Sequence, residues 1–106
     1  MNPLNTTTPA DRETILRRLG LEVTSLRQRF GVKDIAVFGS LARDELNEGS
    51  DLDFLVTFEG KPDFDRFMDL KLYLEDIFAR PIDLVTKNAL RPELRPGIER
   101  EAIHVP

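Results

Sequence analysis

The sequence predicts an α+β domain with α/β-type alternation, a small mixed β-sheet flanked by helices. Three observations carry this. Apolar residues recur three and four apart in two segments, 15–30 and 64–78, which is the period of a helix. Short apolar runs at 34–38, 51–58 and 82–85 lie outside those segments, bounded by Gly, Pro and Asn, as strands are. The two patterns alternate along 106 residues, enough for one hydrophobic core and too few for a second.

Taken in order, residues 1–8 are expected to be a flexible leader to a single domain spanning 9–106. Thr8-Pro9-Ala10-Asp11 reads as a helix start, with Thr8 as N-cap, Pro9 in the first turn and Asp11 at the reciprocal capping position. Ile15, Leu19, Val23, Leu26 and Phe30 then paint one stripe, either on one helix or on two with a kink at Gly20. Gly31 is placed to end it in a left-handed cap. Asp34 to Phe38 suits a strand buried on both faces. Ser40 to Glu45 reads as the first turns of a short helix, and Asn47-Glu48-Gly49-Ser50 as a turn.

From Asp51 to Phe58 the residues alternate. Asp51, Asp53, Leu55 and Thr57 share one face, and Leu52, Phe54, Val56 and Phe58 the other. Glu59-Gly60-Lys61-Pro62 breaks the pattern. Asp63 is expected to cap a helix with the stripe Phe64, Phe67, Met68, Leu70, Leu74, Ile77 and Phe78, stopped by Pro81. Ile82-Asp83-Leu84-Val85 makes a third strand. In the tail, Leu90, Leu94 and Ile98 recur at spacing four, interrupted by Pro92 and Pro96; a short helix over 96–101 and an edge strand over 102–105 are expected.

Composition narrows the function. The hydrophobic share of 41% and charged share of 32% suit a soluble globular protein. No apolar stretch approaches the roughly 20 residues of a membrane helix, and no signal-peptide core is present, so a cytoplasmic protein without a membrane partner is expected. Without cysteine the chain has neither disulfides nor thiolate zinc sites. Acidic residues outnumber basic ones 19 to 15, for a net charge of −4, which disfavours a nucleic-acid partner that would need a basic stripe. Arg12, Arg17, Arg18, Arg27 and Arg29 are interleaved along the first helix and read as a solvated face.

The chemistry lies between the first two strands. Gly39 lets the backbone approach a phosphate closely, and Ser40 adds a hydroxyl and an N–H where anions are favoured. A Gly-Ser pair is common in turns, so its weight comes from its position relative to the acids. No Gly-Lys-Ser/Thr ending is present, so this is not a P-loop. Asp51 and Asp53, at i and i+2 on a strand, point the same way and repel unless a cation intervenes. A hard divalent ion such as Mg²⁺ suits oxygen-only ligands. An Asp-X-Asp alone is more often a strand cap beside a solvated carboxylate. Here, however, Asp53 opens an apolar strand, and Asp83 is a third carboxylate inside another, where burial without function is uncommon. Three acids meeting at one sheet edge would meet the needs of two-metal phosphoryl transfer.

Gly39-Ser40, ten residues, then Asp51-Leu52-Asp53 before an apolar strand resembles the defining motif of the polymerase-β-like nucleotidyltransferase superfamily, with Asp83 as its third acid. Val37-Phe38-Gly39-Ser40-Leu41-Ala42-Arg43 and Ser50-Asp51-Leu52-Asp53-Phe54-Leu55-Val56 resemble the minimal nucleotidyltransferase branch. The resemblance covers roughly 35–85 and implies the nucleotidyltransferase fold. It implies that Ser40 contacts the nucleotide phosphates, Gly39 shapes their turn, and Asp51 and Asp53 bind both of two Mg²⁺ ions. Asp83 would hold the catalytic ion and help deprotonate the acceptor. Arg43 would steady the turn or reach phosphate, or else pair with Glu48 or Asp51. Many relatives have Gly after this arginine, where this chain has Asp44. Small members of the branch resemble antitoxins that partner a HEPN-domain toxin and transfer AMP from ATP to a toxin tyrosine, and this is the expected function. Two other accounts stand beside it: an antitoxin that blocks its partner by stoichiometric binding, and nucleotidyl transfer to a non-protein acceptor.

Other residues have plainer readings. His104, the only histidine, is not expected to be catalytic. Tyr73 reads as packing at the core margin rather than as a self-modification acceptor. Lys87 reads as an exposed turn lysine, with reach to a triphosphate as the alternative. Phe64, Phe67 and Phe78 are expected in the core.

Overall fold

The computed structural model describes residues 11–47, 49–61 and 63–105. Its first helix, α1 (Arg12–Phe30), starts at Asp11, whose side chain accepts a hydrogen bond from the Thr14 N–H at 2.7 Å. Asp11 is therefore the N-cap itself and not a residue of the first turn; Thr8 and Pro9, expected to open the helix, lie outside the described residues, as does the leader. The helix passes through Gly20 as one continuous element and buries Ile15, Leu19, Val23, Leu26 and Phe30, the whole expected stripe. Gly31 ends it with φ 69°.

Strand β1 (Val32–Phe38) begins two residues earlier than expected, because its register slips there. Val32 pairs with Phe58 while Asp34 pairs with Thr57, so Lys33 is the extra residue of a bulge. Lys33 and Asp34 are exposed, and burial on both faces holds only from Ile35 to Val37. Helix α2 is Gly39–Ala42, shorter than the expected 40–45. The chain leaves the helical region at Asp44, whose φ is 60°. That left-handed geometry gives a backbone reason for the Gly of many relatives at this position, and Asp is among the residues that tolerate it.

Strand β2 (Leu52–Phe58) is followed by helix α3 (Phe64–Phe78), whose N-cap Asp63 accepts from the Arg66 N–H at 2.7 Å. Its end comes before Pro81, at Ala79, which adopts a left-handed φ of 53°. Strand β3 (Ile82–Thr86), a 3₁₀ turn (Lys87–Ala89), helix α4 (Arg95–Glu101) and strand β4 (Ile103–His104) complete the order. The sheet runs β3-β2-β1-β4. β1 is antiparallel to β2 and β4, and β2 is parallel to β3, with α3 supplying the crossover a parallel pair needs. The mixed sheet flanked by helices is as expected.

One sheet face carries the rows Val37–Phe54–Leu84 and Leu52–Ile82, and α1 and α3 pack there in a single apolar cluster. Leu70, Leu74 and Phe78 are the buried part of the α3 stripe. Phe64, expected in the core, is 74% exposed, since it lies in the first turn before the helix settles on the sheet; Phe67 is packed against the core margin. The tail spacing does not make a core stripe either, because Leu94 is 52% exposed. Ala36 and Leu55 pair on the opposite face and are buried apart from the main cluster.

Candidate active site

The strand directions create the site. β1 runs towards it, and β2 and β3 run away from it, so the end of one strand and the starts of two others meet. Phe38 pairs with Asp53, and Asp53 with Asp83, giving one row across three strands. Paired residues share a face, and this row alternates with Val37–Phe54–Leu84, so it lies on the face away from α1 and α3. Asp51 stands just before β2 and is exposed.

Asp53 is half-buried, and burial is the main cause that pushes its carboxyl from the ordinary 3.8 up to about 6. The charge of Asp83, a hydrogen bond between these two carboxyls and the charge of Asp51 act in the same direction, while Arg43 opposes them. Asp83 itself is exposed, contrary to the expectation of a buried carboxylate. The reason is position: among the described residues β3 is an edge strand, with no further strand of the sheet beyond it. Among the described residues no three His, Cys, Asp or Glu side chains are grouped to hold a metal ion, so the three acids are neighbours rather than a preassembled ligand set. The donor chemistry nevertheless fits a divalent cation. Asp53 and Asp83 face each other with oxygen donors and mutual repulsion, which a hard cation would relieve.

Gly39 follows Phe38 directly, with φ 68°. A Cβ placed there would lie 2.0 Å from Oδ2 of Asp53, so any side chain at 39 would collide with the carboxylate. The glycine is thus required twice, by its backbone angle and by the acid packed on it. Ser40 follows, half-buried in α2.

Among the described residues Arg43 pairs with Glu45 and Glu101 rather than with Asp51. Its Nε donates to Oε1 of Glu45 at 2.9 Å and its Nη1 to Oε1 of Glu101 at 2.5 Å; Glu48 lies outside the described residues. The other Glu101 oxygen, Oε2, accepts from the Gly39 N–H at 3.3 Å. Glu101 is the last residue of α4, 62 positions from Gly39, and sequence reasoning missed it. So too with Arg80, whose Nη2 donates to the carbonyls of Asn47 at 2.6 Å and Ser50 at 2.7 Å and so holds the loop before Asp51. Arg12 Nη1 donates to the Ala42 carbonyl at 2.8 Å, tying α1 to the end of α2. No local signal marks these three residues; each acts on a segment distant in sequence.

The remaining residues have structural roles. Tyr73 donates to Glu22 at 2.5 Å and packs its ring on Phe30 under Arg29, at the core margin. Lys87 pairs with Glu99 at 3.6 Å, and its position just past the end of β3, four residues beyond Asp83, sets its backbone roughly 13 Å from the acidic row. His104 faces Asp34 at 3.4 Å and touches none of the acids of the row.

Comparison with known proteins agrees with this geometry. A family model described as a nucleotidyltransferase domain matches residues 23–105. The protein adenylyltransferase MntA of Thermococcus cleftensis is 44% identical over 80 residues, 76% of this chain and 81% of that protein. A solved structure reported as a minimal nucleotidyltransferase superposes with a TM-score of 0.78 at 40% identity, over 93% of this chain and 98% of that one. A toxin–antitoxin structure with AMP-PNP shares the fold, with a TM-score of 0.68 at 18% identity over 81% of this chain and 71% of the other. With its Gly-Ser turn set against a row of aspartates on a mixed sheet, and a family match over most of its length, the chain belongs to the nucleotidyltransferase domain family.

Proposed function

We propose that this chain is a Mg²⁺-dependent protein adenylyltransferase that transfers AMP from ATP to a hydroxyl, a tyrosine by family resemblance, of a HEPN-domain toxin, and so acts in the cytoplasm as an antitoxin. The observation that carries the reading is the row Phe38–Asp53–Asp83 with Gly39 packed on Asp53, which brings an anion-accepting turn and two carboxylates to one point. The name of the Thermococcus cleftensis relative supports adenylyl transfer to protein. The toxin partner follows from the resemblance of the Gly-Ser and Asp-X-Asp segments to minimal nucleotidyltransferases.

In the proposed reaction the acceptor hydroxyl oxygen bonds the α-phosphorus of ATP as the bond to pyrophosphate breaks. The hydroxyl proton passes to Asp83 and on to solvent. The products are an adenylylated side chain and pyrophosphate. Bound divalent ions, up to two held by Asp51, Asp53 and Asp83, would supply charge neutralisation at the phosphates. Gly39 and Ser40 would seat the triphosphate, and Arg43 would offer a guanidinium at its edge.

The test uses wild type and Asp53→Asn, each with α-labelled ATP, Mg²⁺ and host lysate, resolved on a denaturing gel. A labelled protein band with wild type alone is expected. Equal labelling by Asp53→Asn would sink the reading. The absence of a preassembled three-acid group is the one observation that favours a stoichiometric, non-catalytic antitoxin. That account requires Asp51→Asn to neutralise the toxin fully at equimolar dose.

A further inference from the structure

Glu101 sets both its oxygens on the two groups of the Gly-Ser turn best suited to an anion. Oε2 accepts from the backbone N–H of Gly39 at 3.3 Å, and Oε1 accepts from Nη1 of Arg43 at 2.5 Å. One carboxylate bridging a backbone N–H and a guanidinium reproduces how a phosphate would be held there. Glu45, the other acid on Arg43, differs: it binds Nε, and no contact joins it to Gly39. Glu101 is also well placed to come and go. It ends α4, a seven-residue helix with no fully buried residue, and its partner Arg43 is exposed.

We propose that Glu101 is an autoinhibitory phosphate surrogate: it occupies the phosphate-binding turn in the free protein, and nucleotide must displace it, so α4 moves when ATP binds. The proposal rests on the nucleotidyltransferase reading of this site. A protein whose competent state is only fractionally populated binds its ligand more weakly by that fraction. Removing the surrogate therefore raises affinity for ATP.

The experiment measures ATP binding by calorimetry, with Mg²⁺ and without any acceptor protein, for the full chain as wild type, Glu101→Gln and Glu45→Gln. Each variant removes one negative charge from the Arg43 guanidinium, but only the first also weakens the hold on the Gly39 N–H, since glutamine leaves a neutral acceptor there in place of a carboxylate. The expected result is a Kd about five-fold lower for Glu101→Gln and changed less than two-fold for Glu45→Gln. Amide NMR of the wild type adds a readout independent of any variant: the Gly39 N–H signal shifts with ATP, in step with the residues of α4. Unchanged or weaker binding in Glu101→Gln overturns the proposal and leaves Glu101 a structural tie. Equal tightening in both variants also overturns it, as a general field effect. If no chain binds ATP at all, the nucleotidyltransferase reading itself falls, and this inference with it.

Discussion

Gly39 and Gly60 adopt the same backbone conformation at opposite ends of the β1–β2 pair, with φ of 68° and 69°. Their surroundings differ completely. Among the described residues a Cβ at Gly60 would meet nothing within 4 Å, whereas one at Gly39 would meet Oδ2 of Asp53 at 2.0 Å. Gly60 serves a turn, and its requirement is a dihedral angle only. Gly39 serves a turn and also makes room for a carboxylate that is itself held against its preference, pushed up to about 6. Close packing and charge conflict thus gather at one end of the sheet, where local structure alone gives no reason for them. Such gathering marks a site rather than a connection.

Substituting both glycines should separate them most. Gly39→Ala is expected to cost about 3 kcal/mol of stability, from the left-handed angle plus overpacking, and to lower transfer about 100-fold by displacing the turn from Asp53. Gly60→Ala should cost only about 1 kcal/mol and leave transfer unchanged. Urea unfolding and the labelling assay measure both, and equal losses at the two positions would mean that the angle alone matters.

A double-mutant cycle sharpens the point. In an Asp53→Ala background the colliding Oδ2 and Cγ are gone, and of the three nearest atoms the Asp53 Cβ at 3.2 Å remains. Gly39→Ala should then cost about 1 kcal/mol, the same as at Gly60, leaving a coupling of about 2 kcal/mol. Additive unfolding energies would separate the glycine from the carboxylate and end the argument for their joint role.

The smallest effect concerns charge. The folded chain holds the Asp53 carboxyl at about 6 against an ordinary 3.8, so its contribution to stability is full below about pH 4 and is lost as pH rises through 6. In EDTA, Asp53→Asn should therefore gain on wild type across pH 4 to 6. The gain should level off above pH 6 at about 1 kcal/mol, a value discounted for the partial solvent access of the group. Thermal melts of the two proteins at pH 4, 5, 6 and 7.5 test this. A constant difference at all four would show that Asp53 is not charge-strained.

Much of this was legible in the chain because its signals are local. The α1 stripe, the Gly31 cap, the Asp63 cap and the strands around 35–38, 52–58 and 82–85 depend on residues a few positions apart. The approach of Gly39 to Asp53 was legible too, since adjacent strands joined by a short connection must bring their ends together. The start of α1 was misread because two capping residues, Thr8 and Asp11, compete within one turn. Phe64 was misread because its spacing fits the stripe while its place at the helix end leaves it facing water.

Local patterns in the chain set the element order, the core stripes and the motif that joins a Gly-Ser turn to two carboxylates, because hydrophobic period, capping and spacing act over short stretches of chain. Tertiary structure alone decided which groups meet that motif. The parallel register sets Asp83 opposite Asp53, the edge position of β3 leaves Asp83 exposed, and α4 brings Glu101 across 62 residues to Gly39. Arg80 reaches back to the loop before Asp51 in the same way. These pairings arise from how separate elements pack on one sheet, and a carboxylate or guanidinium carries no local pattern that names its distant partner.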